Sequence, residues 1–191
     1  MKRNLTIDLR ALDDDKRQVE LSFSSEEAYE RWWGMEILSH ETSAVDLSRL
    51  NEIGCLLFNH NRDKVIGRID SAWVRDNRAY ALVTFDEDEE SDVIYQKVKS
   101  KTLKAVSVGY TVSSWEEVAV GKASANGRHV GPCSVALKWQ PYEISIVSVP
   151  ADATVGVGRD MGNEEEQIEK ADYSYYERQI LLNKNLLGGK E

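Results

Sequence analysis

Leu103-Lys104-Ala105-Val106-Ser107-Val108-Gly109-Tyr110-Thr111-Val112 alternates apolar and small or polar residues at a period of two, the signature of a strand whose two faces differ. Val106, Val108, Tyr110 and Val112 fall on one side and are expected to be buried. Ala105, Ser107, Gly109 and Thr111 form a strip of small residues on the other, wide enough for another backbone to approach. Glycine weakens a strand interior and often marks such an approach, so Ser107 stands where an extended peptide could lie against the sheet. On pattern alone the ordinary reading, a serine on the polar face of a half-exposed strand, has the stronger claim.

The same alternation spreads outward from this stretch. Leu5 to Leu9, Gln18 to Phe23, Met35 to Leu38, Gly54 to Asn59, Val65 to Val74, Ala79 to Phe85 and Tyr142 to Val149 all read as strands, and Arg75-Asp76-Asn77-Arg78 reads as a hairpin turn. One segment changes period. The acidic run Asp86 to Glu90 precedes Val93, Ile94, Lys97 and Val98 at helical spacing, and acids suit the positive end of a helix dipole, which predicts a helix over Glu89 to Lys99. The expected fold class is mainly β with flanking helices and a largely antiparallel sheet. Beyond residue 155 the composition shifts to Gly156-Val157-Gly158 and Glu164-Glu165-Glu166, then to a stripe of Ile168, Ala171, Tyr175, Leu182 and Leu186. The expected division is a domain over residues 1–155 and, over 156–191, a linker and amphipathic helical tail.

Composition narrows the function classes. The chain has 191 residues, 41% hydrophobic and 30% charged, which suits one globular domain with a modest extension. Its formal net charge of −9 and lack of a basic patch argue against binding nucleic acid. No apolar run approaches the roughly 20 residues that cross a bilayer, which excludes a membrane span. After Lys2-Arg3 no apolar stretch of signal-peptide length follows, so synthesis in a reducing cytoplasm is expected, with Cys55 and Cys133 as free thiols. There is no phosphate-binding loop, dinucleotide fingerprint or Gly-x-Ser-x-Gly elbow.

Three groups could carry chemistry. His60 ends the run Leu56-Leu57-Phe58-Asn59, sharing a face with Phe58 at the lip of the core, where an imidazole can serve as a general base near neutral pH. His40 and His129 look like exposed loop residues. Glu143 is the one acid inside Tyr142-Glu143-Ile144-Ser145-Ile146-Val147-Ser148-Val149; buried, it needs a partner such as a histidine it orients, and on an edge strand it would face solvent. A competing set, Cys55 with His60 and His129 with Cys133, offers two sulfur and two nitrogen ligands for zinc, but neither pair has the turn chemistry of a zinc knuckle.

Four blocks in order tie these residues together: Leu57-Phe58-Asn59-His60, Val65-Ile66-Gly67, Val106-Ser107-Val108-Gly109-Tyr110 and Tyr142 through Ala151. With Trp32-Trp33-Gly34 and Val45 to Leu50, they resemble the prohead maturation serine proteases of tailed bacteriophages over roughly residues 18 to 155. The resemblance implies a β-barrel flanked by helices, similar to herpesvirus assemblin. It implies Ser107 as nucleophile, His60 as base and Glu143 as the group that orients His60, with His129 as the alternative third member. Backbone N–H groups near Val108 or in Arg128 to Gly131 are the expected oxyanion donors. It further implies an endopeptidase without a cofactor, whose substrates are the scaffold or N-terminal segment of the major capsid protein and the protease itself, inside the procapsid in the bacterial host cytoplasm. Herpesvirus relatives dimerise, so a homodimer or higher oligomer is expected by analogy. The rival from another class is a non-catalytic module that binds capsid or scaffold protein through a protease-like barrel.

Overall fold

The computed structural model describes residues 2–6, 12–13 and 16–149. The strands are β1 (Lys2–Thr6), β2 (Leu12–Asp13), β3 (Gln18–Ser25), β4 (Tyr29–Arg31), β5 (Gly34–Leu38), β6 (Cys55–Phe58), β7 (Asn61–Arg75), β8 (Arg78–Phe85), β9 (Ala105–Val118) and β10 (Cys133–Val147). Helix α1 (Ser48–Ile53) precedes β6, and α2 (Glu89–Lys99) follows β8. The strands form a sheet ordered β1-β9-β10-β6-β7-β8-β3-β2, with β5 branching onto β10 and β4 onto β5. The helical tail expected at Ile168 to Leu186, and with it the boundary at 155, lies outside the described residues.

The expected β-barrel is not what forms. A barrel requires the last strand of the path to pair with the first, but among the described residues β1 pairs only β9 and the two-residue β2 pairs only β3, so the sheet stays open. Register shifts in β3, β6, β7 and β10 bend the long strands instead. They curve around a core of Val19, Leu21, Phe23, Leu50, Leu56, Phe85, Val106, Val108, Tyr110, Ile144 and Ile146. The sheet is also less uniformly antiparallel than the pattern suggests, because β10 takes β5 and β6 as parallel neighbours on one edge while β9 runs antiparallel along the other.

Helix α2 forms where the change of period places it. Asp88 caps it by accepting from the Ser91 amide at 3.0 Å; Glu89, Glu90 and Asp92 lie in its first turn and Lys97 and Lys99 in its last. Its buried face, Ile94, Tyr95 and Val98, joins the core, with the Tyr95 ring 5.3 Å from that of Phe85.

Asp70 ties three strands together, accepting from Thr84 Oγ1 at 2.5 Å, Arg68 Nε at 2.7 Å and Gln18 Nε2 at 3.2 Å. Burial alone would raise its pKa, but the donors from Thr84, Arg68 and Gln18 prevail and hold it below the usual aspartate value. A folded pKa below the unfolded one gives stability that is present above the unfolded value and is lost as pH falls through the folded one. The urea midpoint of Asp70→Asn is therefore expected below wild type at pH 7, and the gap is expected to close as pH falls below about 4; a gap that widens in acid would contradict this.

Candidate active site

Strand β10 carries the site because its two edges belong to different partners. Ser145 is directly opposite Ser107 of β9, and Glu143 is opposite Gly109. On its other edge, Ile146 is the register partner of Phe58, which delivers the end of β6 to the same place. Directly opposed residues project to the same face of a sheet with Cβ atoms about 4.5–5.5 Å apart, so Ser107 and Ser145 are neighbours on one face.

His60 reaches that face from a turn, not from a strand. Phe58 pairs with Asn61, leaving Asn59 and His60 as a two-residue hairpin loop with φ of 53° and 58°. Positive φ at both central residues marks a type I′ loop, for which Asn-Gly is the preferred sequence; a histidine in the second place is strained by about 1–2 kcal/mol. The turn is fastened to β10 by Asn59 N–H on Ile146 O at 2.9 Å, by Ser148 N–H on Asn59 Oδ1 at 2.9 Å, and by His60 N–H on Ser145 Oγ at 3.2 Å.

The imidazole and Glu143 meet at 2.6 Å, Nδ1 to Oε1. Glu143 is 8% exposed and lies in an interior strand, which excludes the edge-strand reading; Ser145 Oγ donates to its other oxygen at 3.3 Å. Because an ionised carboxylate only accepts, the network assigns the proton to Nδ1 and leaves Nε2 as an acceptor. Ser107 is fully buried, and its Oγ makes no hydrogen bond among the described residues. A buried hydroxyl without a partner is costly, and each one calls for a specific reason such as a catalytic role.

The strip of small residues has a different use from the one its pattern suggests. A Cβ on Gly109 would lie 2.6 Å from both Glu143 Cγ and Oε1 and 2.7 Å from Tyr142 Cε2. The space that glycine vacates is filled by the protein's own carboxylate and aromatic ring, not left for a visiting backbone. The edge of β9 beside it is also taken, with Asn4 of β1 opposite Ser107.

The remaining histidines separate from the site. His129 lies with Glu26, Nε2 to Oε2 at 4.0 Å, while Glu143 is the partner of His60. His40, expected in an exposed loop, is 4% exposed, its Nδ1 2.9 Å from Leu38 O and its ring edge-on to Trp139. His129 is also half-buried rather than exposed. Among the described residues no three His, Cys, Asp or Glu side chains gather as metal ligands, so Cys55, His60, His129 and Cys133 do not form the zinc set. Cys133 is buried, and burial followed by the charges of Glu116 and Glu117 pushes its thiol above the usual value. Of the oxyanion donors expected in Arg128 to Gly131, the N–H groups of Arg128, His129 and Gly131 are spent on Asn126 Oδ1, Ser124 Oγ and Lys122 O within the same insert.

Two residues that sequence reasoning passed over belong to the site. Asn59 had a signal, since a two-residue loop after an apolar run favours asparagine. Ser145 had only its spacing of two from Glu143, which puts both on one face.

A β-sheet that presents a histidine–carboxylate pair beside a buried serine is built like a serine hydrolase. Comparison with known proteins makes the class specific: the family model described as caudovirus prohead serine protease matches residues 33–169, and the chain belongs to that family. It is 37% identical over 143 residues, 73% of its length, to a protein named major capsid protein from Halomonas phage phiHAP-1, of which the match covers 23%. It is 24% identical over 158 residues, 78% of its length, to a capsid polyprotein from Pseudomonas phage PAJU2, of which the match covers 20%. The chain thus spans less than a quarter of the length of these curated relatives. No solved structure matches.

Two substitutions probe this geometry. Gly109→Ala is expected to push Glu143 off His60 while leaving the circular dichroism unchanged, read as loss of the far-downfield imidazole Nδ1 proton in the NMR spectrum. His60→Gly and His60→Ala both remove the imidazole, so their difference isolates the backbone. The glycine variant is expected to be more stable by about 1 kcal/mol in urea, and equal stability would show that the turn is unstrained.

Proposed function

We propose that this protein is a procapsid maturation serine endopeptidase that cleaves the scaffold or N-terminal segment of the major capsid protein, and itself. The observation that carries the reading is the 2.6 Å bond from His60 Nδ1 to Glu143 beside the buried, unpartnered Ser107 hydroxyl. Ser107 Oγ attacks the peptide carbonyl as His60 Nε2 takes its proton. His60 then gives that proton to the leaving amine, Glu143 holds the imidazole tautomer and stabilises the imidazolium, and water hydrolyses the acyl-enzyme by the same route. Family membership supports a protease role. The printed names of the relatives, a major capsid protein and a capsid polyprotein, support substrates among capsid proteins. In this reading the enzyme acts inside the procapsid in the host cytoplasm, residues 1–155 form the protease domain, and 156–191 form a helical tail that contacts capsid or scaffold or is removed by self-cleavage.

Co-expression with the cognate capsid protein, followed by mass analysis of the fragments, tests the assignment. Ser107→Ala is expected to abolish processing while keeping the fold, because removing an unbonded hydroxyl disturbs no contact. Glu143→Gln is expected to slow processing by about 10²–10⁴-fold with little change in peptide binding. Processing by Ser107→Ala at the wild-type rate would sink the reading and favour a non-catalytic assembly module.

A further inference from the structure

Ser145 is neither the residue that reacts nor the one that activates it, yet it touches both halves of the acid–base pair. Its hydroxyl accepts the His60 backbone N–H at 3.2 Å and donates to Glu143 Oε2 at 3.3 Å. The other carboxylate oxygen accepts from the His60 ring at 2.6 Å. These contacts close a ring of hydrogen bonds that runs from the His60 main chain through Ser145 and Glu143 back to the His60 side chain. We propose that Ser145 is a positioning residue that fixes the backbone and the imidazole of His60 together, so that the ring keeps the one orientation in which Nε2 can serve Ser107 as base. The inference rests on the assignment of His60 as the base.

The physical case comes from what His60 lacks without it. The imidazole hangs from a turn residue at φ 58°, a conformation that the chain does not favour for histidine. A single bond at Nδ1 fixes the direction of the ring but leaves the backbone free to relax toward a less strained turn, which would carry the ring with it. Ser145 removes that freedom, and it is itself immobile, being fully buried in an interior strand opposite Ser107. A serine hydroxyl also suits the place by valence, since it can donate once and accept at the same time. Alanine would leave the His60 N–H and one lone pair of Glu143 without a partner in a dry site. Threonine keeps the hydroxyl.

The test uses the full chain and a fluorophosphonate probe, which forms a bond from Ser107 Oγ to phosphorus as fluoride leaves and the proton passes to the base. For Ser145→Ala the maximal labelling rate is expected to fall about tenfold with the probe's half-saturating concentration unchanged, a loss that corresponds to about 1.4 kcal/mol. The far-downfield Nδ1 proton is expected to broaden or disappear, and Ser145→Thr is expected to restore both signals. A maximal rate equal to wild type in Ser145→Ala, or a loss confined to probe affinity, would overturn the proposal. So would a lower rate in both variants with the downfield proton intact. If the wild-type protein takes no label at Ser107, the assignment of nucleophile and base fails; the downfield proton, present in wild type and lost in Ser145→Ala, would then still establish the ring.

Discussion

The ladder between β9 and β10 is the constraint on which the site depends. It runs from Cys133 opposite Val118 to Val147 opposite Ala105, and it sets Ser107 against Ser145 and Gly109 against Glu143. Hydrogen-bonded pairing leaves little freedom in such placements, because a slip of one residue would turn every side chain to the opposite face. The ladder is interrupted once within the site, between Pro141 and Glu143. That irregularity lets Tyr142 and Glu143 both fill the space above Gly109, although they are consecutive in sequence. Bulges recur next to active sites for this reason: they re-aim a side chain without breaking the sheet.

Among the described residues two glutamates are buried in strands, and they are treated differently. Glu36 accepts from the Arg31 guanidinium at 3.0 Å and from the Tyr110 hydroxyl; burial and then the Glu36 bond and charge push that hydroxyl well above the usual tyrosine range. Arginine keeps its charge at any pH that the protein meets, so that cluster is a fixed structural joint. Glu143 is given a histidine instead, the Nδ1 of His60 at 2.6 Å. The two carboxylates thus differ in partner: one is held by an arginine and a tyrosine, the other by the ring of a histidine.

Much of the fold was legible along the chain. The strands at Gln18, Gly54, Val65, Ala79 and Leu103 and the helix over Glu89 to Lys99 are local consequences of alternation, turn residues and capping, and they form close to where those signals lie. The openness of the sheet was not legible, because it depends on which edges pair, and pairing between distant strands leaves no mark in either one. Nor could the sequence show that α1 forms over Ser48–Ile53, a helix too short to display a period.

At the site, the sequence by itself marked the candidate groups: a serine in a strip of small residues, a histidine closing an apolar run, and one acid in an apolar strand. Each of those signals is short-range, carried by alternation or by an anomaly of charge. Only the tertiary structure decided that Glu143 rather than His129 meets His60, that the histidine sits in a strained two-residue turn, that Gly109 makes room for the carboxylate rather than for a peptide, and that Ser145 closes the ring. These facts depend on the register of β10 against β9 and β6, where the residues that meet are 38 positions apart at Ser107↔Ser145 and 88 apart at Leu56↔Ile144. Side-chain contacts across such distances are fixed by the pairing and curving of the strands around their core, a cooperative outcome that no single segment encodes.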